Sequence, residues 1–314
     1  MPQPIKFKTQ DGFELNGFEW RAPQTDSSAE IKKRHVVIIN AATSVQCRYY
    51  FRFAQYLYDH GFDVITYDYR GIGVSKAKNL KGFNAGWLTW GEQDLEAVLK
   101  DSATRYLKQN IFVVGHSIGG VLVGLAPSNY LISRVFSMGS QQAYWPDYLA
   151  SQKISMLLKW HGLMPMIALA MGYVPAKRLG WMEDTPKHVA MNWATMGKQF
   201  IPSLVKSPLQ RQHIQARFEQ LKAPILAFGT EDDPFGTSVA LDRILQLFSK
   251  SERYHLRIDP KKINLPPIGH FAFFNDRFKE TLWPIALAWL QTGVVTQQPG
   301  FSIQTIPPRE APMR

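Results

Sequence analysis

The chain has 314 residues, 45% of them apolar and 19% charged, which suits a single large globular domain or one domain carrying an insertion. Its formal net charge is +11, yet the cations are scattered, the longest run being Lys32-Lys33-Arg34. Neither zinc-ligand spacing nor an aromatic RNA-binding signature accompanies them, which argues against a nucleic-acid partner. The lone Cys47 rules out an internal disulfide and fits a reducing compartment, and the mixed Pro, Lys and Gln of the first nine residues do not read as a secretory leader, so a cytoplasmic location is expected.

Residues 4–21 alternate polar and apolar around Asp11-Gly12, the signature of a hairpin whose two antiparallel strands form a sheet edge. Residues 23–34 read as a polar loop, and His35–Ile39 as a buried strand ending at Asn40-Ala41-Ala42-Thr43. Apolar residues at Tyr50, Phe53, Ala54, Leu57 and Tyr58 predict a helix over 48–60, closed by Gly61. A strand over 62–67 and an amphipathic helix over 92–106 follow, and then Ile111–Val114, a fully buried strand. That strand runs into Gly115-His116-Ser117-Ile118-Gly119 and a small-residue helix over 121–126. A further strand is expected at 134–139. Alternation of strand and helix at this rhythm predicts an α/β fold with a mostly parallel sheet.

From Gln141 to His213 the texture changes to short helical pieces crowded with Met and Trp and interrupted by prolines. Strand rhythm resumes at 224–229, with a helix at 238–248, a strand at 254–258 and a last helix at 281–290. The expected organisation is therefore a core of residues 1–140 and 214–292, a helical cap of 141–213, and an extended tail of 293–314 rich in Pro and Gln. The most apolar run, Leu163–Val174, is too short to cross a bilayer and contains Pro165, so no integral membrane span is expected, and at most weak contact with a membrane surface.

A Gly-x-Ser-x-Gly turn between a buried strand and a helix thrusts its serine out of the sheet, and only small neighbours allow the turn. Serine needs a histidine to accept its proton and an acid to orient that histidine, both on later strand ends. The chain offers Gly229-Thr230-Glu231-Asp232-Asp233-Pro234 and then Gly269-His270, in the order Ser, Asp, His. Ser117, Asp232 and His270 are the expected catalytic residues. Asp232 is preferred to Asp233, which precedes Pro234 and is expected to shape the turn. The oxyanion donors are expected to be the N–H groups of Ile118 and Ala42, with Thr43 second to Ala42. His116, Thr43, Trp145, Phe235 and Phe271 are expected to line the substrate's path; bonding local to the strand end is the other reading of His116. No pair of histidines stands at metal-ligand spacing with a carboxylate, so neither metal nor cofactor is expected.

With these residues assembled, the chain resembles an α/β-hydrolase, and more narrowly the bacterial serine hydrolases of the monoglyceride-lipase and serine-aminopeptidase-like branch. The likeness rests on Asp68-Tyr69-Arg70-Gly71-Ile72-Gly73-Val74-Ser75, Gly115–Gly120, Gly229–Asp232 and Gly269-His270, and spans residues ~5–140 and ~214–292. Asn40-Ala41 stands where the family usually has His-Gly. The resemblance implies a triad of Ser117, Asp232 and His270 and structural roles for Asp68 and Arg70; the place of 141–213 in the fold is where lids over the active site sit, and packing of the insertion's own core or of a dimer contact is the other reading of its Met and Trp residues. The activity it implies is cleavage of a small-molecule ester or thioester with a lipophilic acyl group. Acyl transfer by the same groups, or ligand binding without catalysis, are the alternatives.

Overall fold

The computed structural model describes residues 2–23 and 34–308. Residues 24–33 of the loop expected over 23–34, and the last six residues of the expected tail, lie outside the described residues.

Eight strands were expected, and all eight lie in one nine-stranded sheet: β1 (Gln3–Lys8), β2 (Glu14–Trp20), β3 (His35–Asn40), β4 (Phe62–Tyr67), β5 (Ile111–His116), β6 (Ile132–Met138), β9 (Ile225–Thr230) and β10 (Arg253–Ile258). With β11 (Phe301–Ile306) as the ninth strand, the order across the sheet is β1-β2-β4-β3-β5-β6-β9-β10-β11. The six strands from β4 to β10 run parallel, while β1, β2 and the last strand are antiparallel to their neighbours. β5 sits at the centre, buried along its whole length, as a run of β-branched residues on a two-sided sheet requires. All the parallel strands therefore end on one rim, where loops converge.

Two helices that flank the sheet meet through their aromatic faces. Phe51–Asp59 buries Phe53, Ala54 and Leu57, and the Phe53 ring lies 5.3 Å from Trp283 of the helix Trp283–Thr292. The helix expected at 121–126 is shorter: Ile118–Val121 gives way to a tighter turn at Leu122–Gly124. Packing in that turn is close: a Cβ on Gly124 would stand 2.1 Å from the Phe218 ring.

The expected tail is partly ordered. β11 (Phe301–Ile306) pairs antiparallel with β10, its Phe301 and Ile303 alternating with polar residues. It closes an edge that would otherwise expose unpaired backbone groups.

In the insertion, β7 (Tyr173–Val174) and β8 (Thr185–Pro186) form a small ladder, and the other elements between β6 and β9 are helices joined by loops. The apolar run is longer than expected. A helix of 19 residues, Lys153–Met171, is long and apolar enough to cross a membrane by length and composition. Pro165 does not break it, because the proline falls in the first turn of its last α-helical segment, directly after a wide π-helical stretch at Leu157–Leu163.

Candidate active site

Ser117 links β5 to the helix Ile118–Val121 with φ 53° and ψ −123°, a conformation non-glycine residues rarely adopt. The turn closes because its neighbours are small. A Cβ on Gly115 would lie 2.4 Å from Gly120 Cα, and one on Gly119 would lie 2.4 Å from the Asn40 carbonyl oxygen. The Ser117 N–H donates to the Met138 carbonyl at 2.9 Å. Ile118 opens the helix, so its N–H has no acceptor within it.

His270 stands beside the same β6 terminus. A Cβ on Gly139, the residue after Met138, would lie 3.1 Å from His270 Nδ1 and 2.8 Å from Asp233 Oδ2; Gly139 has φ 58°. Glycine is therefore needed there for both conformation and space. Ser117 and His270 thus border two consecutive residues of one strand end.

The acid facing His270 differs from the expectation. His270 Nδ1 lies 2.8 Å from Asp233 Oδ2, and the other oxygen of Asp233 accepts the N–H groups of Phe235 and Gly236, each at 2.8 Å. Asp232 instead accepts the N–H groups of Ile268 and Gly269 through Oδ2 and so braces the loop that carries His270. The physical reason is that β9 runs on to Thr230 and the chain turns through an Asp233 N–H to Thr230 C=O bond, which aims the second of the two carboxylates at the ring. Asp233 also shapes the turn, as expected of a residue before proline; its two oxygens divide the two tasks. Asp233 is fully buried. Burial works to raise its pKa, but the positive field and hydrogen bond of His270, with the two backbone donors, outweigh this and hold it below the ordinary carboxylate value.

The expected donor Ala42 is engaged by a neighbour. Its N–H already donates to Tyr50 Oη at 2.9 Å. Tyr50 Oη in turn lies 2.8 Å from His116 Nδ1, and His116 Nε2 lies 2.7 Å from the His270 carbonyl oxygen. A carbonyl only accepts, so Nε2 donates; neutral Nδ1 then accepts from the tyrosine hydroxyl. Burial, reinforced by the charge of His270, pushes the His116 pKa down to about 3, which keeps it neutral. His116 is therefore fully buried with both ring nitrogens engaged in this bridge, the local bonding at the strand end that was its other reading. Tyr50 was readable in sequence only as a core position of its helix; the sign was a hydroxyl where phenylalanine would serve packing alone.

The remaining expected residues fall in two places. Phe235 lies 4.9 Å from the His270 ring and joins Tyr148, Trp160 and Trp193 of the insertion in one aromatic cluster. Phe271 is partly exposed and lines a cleft of about 580 Å³ with Ser44, Val45, Tyr49, Trp181 and Met182. Thr43 is buried next to that cleft, and the loop holding it is tied to the insertion by Ser44 Oγ to Thr185 Oγ1 at 2.6 Å and by the Glu183 N–H to Ser44 C=O bond. Trp145 is half buried in the turn Trp145–Asp147, outside the aromatic cluster.

Asp68 and Arg70 are structural. Asp68 accepts the N–H groups of Cys47 and Val74, and Arg70 pairs with Asp94 and Asp11. The Cys47 thiol is buried and its pKa is driven far upward, so it is inert at neutral pH.

The model of the family described as serine aminopeptidase, S33, matches residues 31–256. Among curated proteins none matches the chain. Solved structures resemble it at low identity over nearly the whole length. The complex of DcsB with its substrate analogue has a TM-score of 0.61 at 14% identity, covering 94% of this chain and 100% of that one. The Pyrococcus furiosus esterase Pf2001 has 0.56 at 13%, covering 93% and 92%. The Paleococcus ferrophilus monoacylglycerol lipase has 0.51 at 15%, covering 94% and 100%. These likenesses show the α/β-hydrolase fold. An elbow serine at a parallel-sheet rim and a family model spanning most of the chain lead to one conclusion: the protein belongs to the serine aminopeptidase S33 family of α/β-hydrolases and is a serine hydrolase.

Proposed function

We propose that the protein cleaves a carboxylic ester or thioester with a lipophilic acyl group through Ser117, His270 and Asp233. The observation that carries this reading is the His270 Nδ1–Asp233 Oδ2 bond, which commits one ring nitrogen to the acid and leaves Nε2 as the base. The Ser117 hydroxyl attacks the acyl carbon and its proton passes to Nε2. The Ile118 N–H receives the developing oxyanion. With the Ala42 N–H engaged by Tyr50, Thr43 supplies the second donor. Collapse expels the alcohol or thiol, which takes the proton from Nε2. Water then attacks the acyl-enzyme, losing its proton to Nε2, and the acid is released as Ser117 is reprotonated.

The lipophilic acyl group is supported by the setting: Phe235 against His270, and Phe271, Trp181 and Met182 along the adjoining cleft. In this reading residues 141–213 act as a cap over the acyl site. Nitrophenyl esters from acetyl to dodecanoyl, assayed with and without added alcohols or amines, test the proposal. The expected result is turnover that favours medium or long chains and yields free acid even with acceptors present. Acyl transfer to the acceptor in place of hydrolysis would reassign the reaction, and no turnover across the series would reject it.

A further inference from the structure

The helix Lys153–Met171 is apolar on two opposite sides, and the fold covers only one of them. Met156, Trp160, Met164 and Ala168 recur every four residues and are buried. Trp160 packs on Trp181 and Trp193 at ring distances of 5.4 and 5.0 Å. In a regular α-helix such a four-residue spacing drifts by about 40° per step. The wide π-helical turn at Leu157–Leu163 absorbs the drift and keeps each row on one face. The opposite row holds Ile154, Leu158 and Met166, with Leu169 beside it, and these are 58 to 65% exposed. The four residues of the inner row are the only buried ones in the helix. An outer face of this kind demands a partner.

The charges around it point to which one. The helix holds no acidic residue, and the whole segment 141–213 has eight Lys and Arg against three Asp and Glu. Cations mark its length: Lys153 at its start, and Lys159 with its ammonium 4.4 Å from the Trp160 ring and 4.8 Å from that of Trp181. Lys81 packs where the helix stops, against Gly172. An exposed apolar strip on a segment with this excess of cations matches an anionic bilayer surface, with acyl chains beneath the strip and headgroups meeting the surrounding positive charge. The inner row is locked into the aromatic cluster over His270, so the helix cannot span without dismantling the cap.

We propose that the outer face of Lys153–Met171 docks in the plane of an anionic membrane surface and brings the cleft beside Phe271 to acyl lipids held there. This rests on the proposed acyl-ester reading for its purpose, but its readout is binding, so the two can fail separately. The full chain is floated with vesicles of phosphatidylcholine alone or with added phosphatidylglycerol. The expected result is capture by the phosphatidylglycerol vesicles that weakens at high salt. The double variant Leu158→Ser, Met166→Ser should lower capture about tenfold or more, while hydrolysis of a soluble short-chain ester stays within roughly twofold of the parent, as expected of solvent-facing substitutions. Because Cys47 is buried, Leu158→Cys carries an environment-sensitive dye at one accessible thiol, and its emission should shift blue on the same vesicles. Equal capture of parent and double variant, no capture of the parent, equal capture by both vesicle types, or an unshifted dye would each overturn the proposal. So would a concentration-dependent dimer of the parent that the double variant abolishes, since a second copy would then be what covers the face.

Discussion

Two regions meet at His270, and they are held by different chemistry. Below the ring, polar groups are joined in series: Ala42 N–H to Tyr50, Tyr50 to His116, and His116 to the His270 carbonyl. Above it, Phe235 joins Trp160, Trp193 and Tyr148 in a cluster of packed rings, in which the Trp193 indole N–H also donates to Tyr148 Oη at 3.1 Å. Buried hydrogen bonds are directional and costly to leave unmade, so the floor fixes the His270 loop, the elbow and the Ala42 loop relative to one another. Ring contacts and methionines are far less directional and tolerate re-packing. The comparison teaches where damage should show: floor substitutions in the rate of the chemical step, cap substitutions in the apparent affinity for acyl chains.

The largest effects test the floor. Ser117→Ala should lower kcat by about 10⁴- to 10⁶-fold. Asp233→Asn should cost about 10⁴-fold, whereas Asp232→Asn, which touches only the N–H groups of Ile268 and Gly269, should stay within about tenfold, an expectation for a brace that makes no contact with the ring. Steady-state kinetics on one ester separate the two carboxylates, and the reverse order would break the assignment of Asp233.

Tyr50→Phe comes next. It leaves the Ala42 N–H and His116 Nδ1 unpaired in a buried site, a loss of about 1–3 kcal/mol per group. Urea unfolding should show this loss, and kcat should fall about tenfold with KM little changed, as when an interaction that positions reacting groups is removed. A rise in KM at constant kcat would instead place Tyr50 in substrate binding.

His116 gives the floor a pH signature. Its pKa falls from an ordinary 6.5 to about 3 on folding. Below pH 6.5 the unfolded chain takes up a proton here that the folded chain refuses. This residue's contribution to stability is thus complete above pH 6.5 and declines by about 1.4 kcal/mol per pH unit on acidification. Between pH 6.5 and 5 the parent should lose about 2 kcal/mol more than His116→Asn in paired urea titrations. Parallel curves for the two proteins would mean that His116 is not held neutral. The smallest effect belongs to the cap. Trp181→Ala should raise KM for long-chain esters severalfold and leave acetyl esters nearly unchanged, because Trp181 lines the cleft beside Phe271.

The elbow was legible in sequence because it depends on local signals: an apolar β-branched run, glycines that a Cβ would make impossible, and a serine between them. The parallel sheet followed from the same periodicity. What could not be read depends on tertiary placement. Whether Asp232 or Asp233 faces His270 turns on β9 continuing to Thr230, a shift within the error of any strand boundary. The Ala42 N–H looked free because its acceptor, Tyr50, lies on a helix whose rotation no local pattern reveals. β11 was hidden by a Pro- and Gln-rich surrounding that outweighed a short alternation at Phe301 and Ile303. The unbroken Lys153–Met171 helix was hidden by Pro165, which a preceding π-helical stretch accommodates.

The most direct test of the central claim is covalent: the folded protein is treated with a fluorophosphonate and the adduct is mapped by peptide mass spectrometry. The account predicts one adduct on Ser117, absent in Ser117→Ala, strongly slowed in Asp233→Asn and near the parental rate in Asp232→Asn. Labelling of Ser117→Ala at the parental rate, or an adduct on any residue other than Ser117, would contradict it.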